Sequence, residues 1–142
     1  MCVIRTAAEA TVGDFGIRST GNGPRAGHHS VTPRIVVSDV AAQVDFLQAV
    51  FGASGVIEPD RPAEIRIGDS LIMVSRAGER DLFPAFLHVY VDNADATYQR
   101  ALDAGAITVE APLDTPYGDR RAMVRDPFGN IFQIAHQLQP AP

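Results

Sequence analysis

Apolar residues recur along this chain in two rhythms, and the order in which they alternate is repeated. From residue 32, Ile35-Val36-Val37 forms a short apolar run of the buried-strand kind. Asp39 then stands where a helix N-cap would, Val40, Val44, Leu47 and Phe51 recur at helical spacing, and Gly52 follows as a stop. Residues 55–57 predict a short strand, Pro59 and Pro62 a turn, and residues 64–67 a strand that alternates cleanly. Gly68-Asp69 reverses the chain into a further strand over 71–74.

The same succession begins again at residue 86. A strand over 86–91 is followed by Asp92 or Asn93 as cap, by a helix to about Ala104, and by Gly105. Strands over 107–109, 120–125 and 131–136 follow, the last two joined by the turn Asp126-Pro127-Phe128-Gly129-Asn130. Placing Arg34 over His88, an offset of 54 residues, aligns strand with strand and cap with cap, and both helices end in Gly-Ala. The fold class is therefore α+β, with tandem β-α-β-β-β modules over 32–76 and 85–136 forming curved mixed sheets around a cleft.

Each module lays one helix on one sheet face, so strand side chains alternate between the helix side and the open side. Leu87, Val89 and Val91 are expected to face the helix, leaving Phe86, His88 and Tyr90 on the open side with Arg34, Val36, Glu64, Ile131 and Gln133. Pairing the two open faces would make a cleft suited to a small ligand. His88 suits a ligand, a general base or a held structural histidine, and Arg34 suits an anion clamp or a bridge to Glu64. If Phe86, Tyr90, Phe132 and Met73 faced the cleft they would stack a planar compound, and if they faced the helices they would be core. Arg120, Arg121 and Arg125 with Asp119 and Asp126 read as a charge network that steadies the turns.

Composition narrows the picture. The 142 residues carry 17 acids against 12 bases, all arginine, for a formal charge of -5, and that balance lacks the basic stripe a nucleic-acid surface needs. No apolar run approaches the roughly 20 residues of a membrane span, and the first residues lack a charged-then-apolar leader layout, so the expectation is a cytoplasmic chain without membrane partners. Residues 1–30 read as an extension outside the core, flexible, packed on a partner or itself an interaction module. His28 and His29 there are expected to be solvated, and the single cysteine, Cys2, to be incidental.

The order of elements, together with Leu87-His88-Val89-Tyr90-Val91-Asp92, Tyr117-Gly118-Asp119-Arg120 and Asp126-Pro127-Phe128-Gly129-Asn130, resembles the vicinal oxygen chelate superfamily, and within it the glyoxalase/bleomycin-resistance proteins. The resemblance spans 32–138 and implies the same paired-module fold. Metal-using members place ligands on the first and last strands of each module, and these positions fall here on Arg34, Ile72, His88 and Gln133. Arginine has no lone pair to give, isoleucine cannot coordinate, and a glutamine amide is a weak ligand, which leaves His88 with Glu64 and Gln133 as poor helpers. A divalent ion beside Arg34 would also meet about 4 kcal/mol of repulsion per unit charge pair at 4 Å. The resemblance therefore implies a metal-independent homodimer that binds an antibiotic or metabolite in its clefts. The alternative is a lyase, isomerase or dioxygenase acting on a small oxygenated substrate, with a degenerate metal site or with His88 as base and Arg34 polarising an oxygen.

Overall fold

The computed structural model describes residues 23–139. The chain divides into two units, Met1–Thr32 and Pro33–Pro142. In the first, the described residues form a turn and bends without helix or strand, with the His28 N–H donating to the Arg25 carbonyl at 2.9 Å. Cys2 lies outside the described residues.

The second unit runs β1 (Arg34–Val37), α1 (Val40–Phe51), β2 (Ser54–Val56), β3 (Ala63–Ile67), β4 (Ser70–Arg76), β5 (Phe86–Tyr90), α2 (Ala94–Asp103), β6 (Ile107–Asp114), β7 (Asp119–Arg125) and β8 (Ile131–Gln137). One four-stranded sheet has the order β1-β4-β3-β2 and the other β5-β8-β7-β6. In each, the module's first strand pairs in parallel with its last, and the remaining pairs are antiparallel. The tandem repeat read from the sequence is thus repeated in topology.

Both helices start where side-chain chemistry favours it. Asp39 accepts from the Ala42 N–H and Asn93 from the Ala96 N–H, each at 3.0 Å, caps worth about 1 kcal/mol apiece. Of the two cap candidates for the second helix, Asn93 is the one used. Gly52, at φ 66°, closes α1 in the left-handed conformation, its N–H reaching back to the Gln48 carbonyl.

The helix-facing sides of both sheets share a single core. Ile35, Leu47, Val50, Ile65 and Val74 from the first module and Val124, Phe132 and Ile134 from the second belong to one buried cluster. Phe132 of β8 stacks on Phe46 of α1 with ring centroids 6.1 Å apart and tilts against Phe51 at 5.3 Å. Arg100 of α2 donates from Nε and Nη2 to the Val50 carbonyl at 3.2 and 3.1 Å, and so caps the end of the other module's helix. The 126–130 turn is a second tie between modules, because its Asp126 and Asn130 side chains bond to Gln43 of α1.

Three features differ from the sequence reading. The strand expected over 107–109 extends to Asp114 and carries Pro112. It is the sheet's outer strand, with register shifts between Thr108 and Glu110 and between Glu110 and Leu113, so a missing N–H is tolerated there. Val36 points away from α1 yet is 4% exposed, where the connection between modules runs beside β1 and Phe83 exchanges backbone hydrogen bonds with it at 3.0 and 3.4 Å. The expected charge network is split, because Arg120 and Arg121 are neighbours on a strand and leave it on opposite faces. Arg120 pairs with Asp95 and Asp114, at 3.3 and 3.1 Å, while Arg121 pairs with Glu110 at 2.9 Å. Asp119 and Asp126 serve other partners.

Candidate functional site on the open sheet faces

Alternation along β5 sends Leu87 and Val89 to the core and leaves Phe86, His88 and Tyr90 exposed. Phe86 is 66% and Tyr90 62% exposed, far more than large aromatic side chains on a structural face would be. The parallel register places Gln133 of β8 beside His88, and Met123 of β7 beyond it. The His88 and Tyr90 rings meet edge to face, with centroids 4.7 Å apart at 60°.

A polar frame holds the end of this face. The Tyr90 hydroxyl donates to Asp119 Oδ2 at 2.8 Å. Asp119 is 6% exposed and is itself fixed by Thr115, whose Oγ1 accepts from its N–H and donates to its carbonyl, each at 3.0 Å. Next to it Arg121 bridges Glu110 and the Tyr117 hydroxyl, the latter at 2.8 Å. The carboxylate of Asp119 holds the Tyr90 phenol above its ordinary range, chiefly because the hydrogen bond is lost on ionisation. Tyr90 should therefore ionise above the usual phenol range of about 10 as pH rises. In a spectrophotometric titration near 295 nm, the amplitude lost in Tyr90→Phe should come from above that range, and amplitude lost from within the ordinary phenol range would show that the bond to Asp119 is absent in solution.

On the other sheet Arg34 starts β1 and lies beside Met73 of β4, donating from Nη2 to the thioether sulfur at 3.1 Å. Glu64 of β3 is in register with Met73 on the same face. The bridge from Glu64 to Arg34 weighed from the sequence is not formed; Glu64 pairs with Arg61 at 3.3 Å.

Arg34, Glu64, Phe86, His88, Tyr90 and Gln133 thus all lie on faces turned away from the helices. Ile72 does not. It is 4% exposed and packs in the shared core in register with Ile65, so the residue next to Arg34, in the place that Gln133 takes next to His88, is Met73. A slip of one residue exchanges the two faces of a strand, which is why the assignment to Ile72 fails. The four aromatic or soft residues divide likewise, Phe132 going to the core and Phe86, Tyr90 and Met73 to the open faces. Sequence reading missed Asp119 as the anchor of Tyr90 and Gln43 as the partner of the 126–130 turn, since both contacts join residues far apart in the chain. A shallow, mostly apolar depression of about 360 Å³ lies on the helix side, lined by Ala42, Phe46, Ala49, Ala104, Pro127 and Phe128 with Asp45.

Chemically, the open faces offer stacking surface, a neutral amide, one imidazole, the guanidinium of Arg34 and the carboxylate of Glu64, which is already paired with Arg61. As a metal site they fit poorly: Arg34 and Met73 replace the two ligands of one module, and Gln133 replaces one of the other. Among the described residues no three of His, Cys, Asp and Glu come close enough to share an ion.

The model of the glyoxalase/bleomycin resistance protein/dioxygenase superfamily matches residues 25–134. An uncharacterized protein of Mycobacterium bovis is 32% identical over 128 residues, covering 78% of this chain and 84% of that protein. Among solved structures, TioX from Micromonospora sp. ML1 is 25% identical with a TM-score of 0.64, covering 79% of this chain and 98% of that one. A glyoxalase/bleomycin resistance protein/dioxygenase family enzyme from Burkholderia phytofirmans PsJN is 26% identical with a TM-score of 0.63, covering 74% and 95%. With the repeated topology and the matched residues in agreement, the chain belongs to the glyoxalase/bleomycin resistance protein/dioxygenase superfamily.

Proposed function

We propose that this protein binds a small planar molecule without the help of a metal ion, in a cleft formed when open sheet faces are paired in a homodimer. The observation that carries the reading is the aromatic face of β5. Phe86 and Tyr90 are mostly exposed on a strand whose other side is fixed in the core, and Tyr90 is held in place through Asp119. Exposed aromatic surface on a rigid element is costly to leave wet and stacks a flat ligand at little cost in side-chain entropy. A twofold partner would cover it and complete the cleft, and closed twofold dimers are the commonest assembly.

The donor set supports metal independence. With His88 the one good ligand at the family positions, the residues there give little support to a Lewis-acid role or a metal-bound nucleophile. His88 and Gln133 then serve as hydrogen-bonding groups on the cleft wall.

Metal dependence gives the direct test. Protein stripped with chelator and titrated with Ni, Mn, Fe, Co or Zn should keep its melting temperature, and protein purified without added metal should contain far less than one equivalent. An ion present at 100 times its dissociation constant would add about 2.7 kcal/mol of stability. A shift of that size, metal-specific and abolished in His88→Ala, would overturn the reading and move the protein among the metal enzymes.

A further inference from the structure

Arg34 is placed as if for an anion. Among the described residues three arginines are paired with carboxylates, Arg61 with Glu58 and Glu64, Arg120 with Asp95 and Asp114, and Arg121 with Glu110, whereas Arg76, Arg80 and Arg125, like Arg34, are not. Arg34 makes no ion pair among the described residues, and its hydrogen-bond partner is the Met73 sulfur at 3.1 Å. A thioether is an uncharged and weak acceptor, so it orients a guanidinium without offsetting its charge. Most of the planar donor fork is left for something else. Backbone position reinforces the point, since Arg34 and Met73 stand in the same register relation on the first module as His88 and Gln133 on the second. The chain carries a formal charge of -5, yet among the described residues no acid pairs with this cation.

Taking the small-molecule reading above as its basis, we propose that the ligand is an aromatic compound bearing a carboxylate or an equivalent planar oxyanion. Arg34 takes the oxyanion through two parallel N–H···O bonds, and the Phe86 and Tyr90 face takes the ring. Bidentate guanidinium–carboxylate pairing is geometrically specific, and a lysine in the same place would supply the charge without the fork. The ligand class is then an anionic arene.

A matched pair of probes tests this, 1-naphthoate and 1-naphthamide, which differ in charge and hardly in shape. Titrated into the full chain at neutral pH and followed by amide chemical shifts, naphthoate should bind at least about tenfold more tightly than naphthamide. Arg34→Gln should erase that preference while leaving naphthamide binding unchanged, Arg34→Lys should retain part of it, and Phe86→Ala should weaken both probes together. Arg34 is exposed and makes one weak hydrogen bond, so Arg34→Gln should fold as the parent does, which circular dichroism verifies. Equal affinity for the two probes, or a preference for naphthoate that survives Arg34→Gln, would overturn the anion assignment while leaving the planar-ligand reading standing. If neither probe binds the folded protein, both fall together.

Discussion

Replacing Asp126 with alanine should cost about 3–4 kcal/mol of folding stability, a severe loss for a position in a surface-type turn. Its Oδ1 accepts from the N–H groups of Phe128 and Asn130, at 2.9 and 2.8 Å, and so holds the turn's own backbone. Its Oδ2 accepts from Gln43 Nε2 at 3.0 Å and from Asn130 Nδ2 at 2.9 Å. Asn130 in turn accepts from the Ala85 N–H at 2.8 Å and donates to Gln43 Oε1 at 2.7 Å, which joins α1, the turn and the start of β5 in one closed ring. Gln43 and Asn130 are both fully buried. Removing the carboxylate therefore strands four donors, two of them side-chain amides with no water to turn to, and an unmade buried bond costs more than a made one contributes. Asp126→Asn keeps the volume but aims an NH₂ group at one or more of these donors, and should cost about half as much. Urea unfolding followed by far-UV circular dichroism, apt for a chain with no tryptophan, measures both. A loss under about 1 kcal/mol for the alanine variant, at unchanged denaturant slope, would mean the ring is not closed in solution.

That ring also marks where sequence reading stops. The turn itself was legible, since Asp126, Pro127 and Gly129 are the residues such a reversal demands, and so were the caps at Asp39 and Asn93 and the helix of residues 40–51, whose apolar spacing and flanking Asp and Gly agree with one another. What the turn is for was not legible. Gln43 is a polar residue on the buried side of an otherwise apolar helix, and its partners lie 83 and 87 residues away. The open faces were legible because alternation needs only one fixed point, and His88 with Phe86 and Tyr90 followed from Leu87 and Val89. The partner of Arg34 was not, because the parallel register between β1 and β4 is set by three-dimensional pairing and an error of one residue moved the assignment from Met73 to Ile72. Strand β6 ran past Pro112 for a related reason: a proline ends a central strand but not an outer one, and strand order is not written locally.

Phe132→Ala should be at least as damaging, at about 3–5 kcal/mol. Phe132 heads the fully buried side chains by size, and its ring meets both Phe46 and Phe51. It belongs to β8 of the second module and they belong to α1 of the first, so the cavity would open at the seam where two copies of one topology become one core. A hole there is hard to refill, because neighbouring Leu47, Val50 and Ile134 are themselves fully buried and committed to other contacts. Phe132→Leu, which leaves a smaller hole, should lose about 1–2 kcal/mol, whereas Phe86→Ala, on the exposed face of the same sheet, should stay within about 0.5 kcal/mol. The contrast separates the two faces by measurement: the helix side carries stability, and the open side carries residues whose removal the fold barely registers. If Phe86→Ala proved as costly as Phe132→Ala, the β5 face would be built for packing rather than for a ligand. If Phe132→Ala unfolded in two steps instead of one, the modules would be separately stable, and the shared core would join them without being what makes either fold.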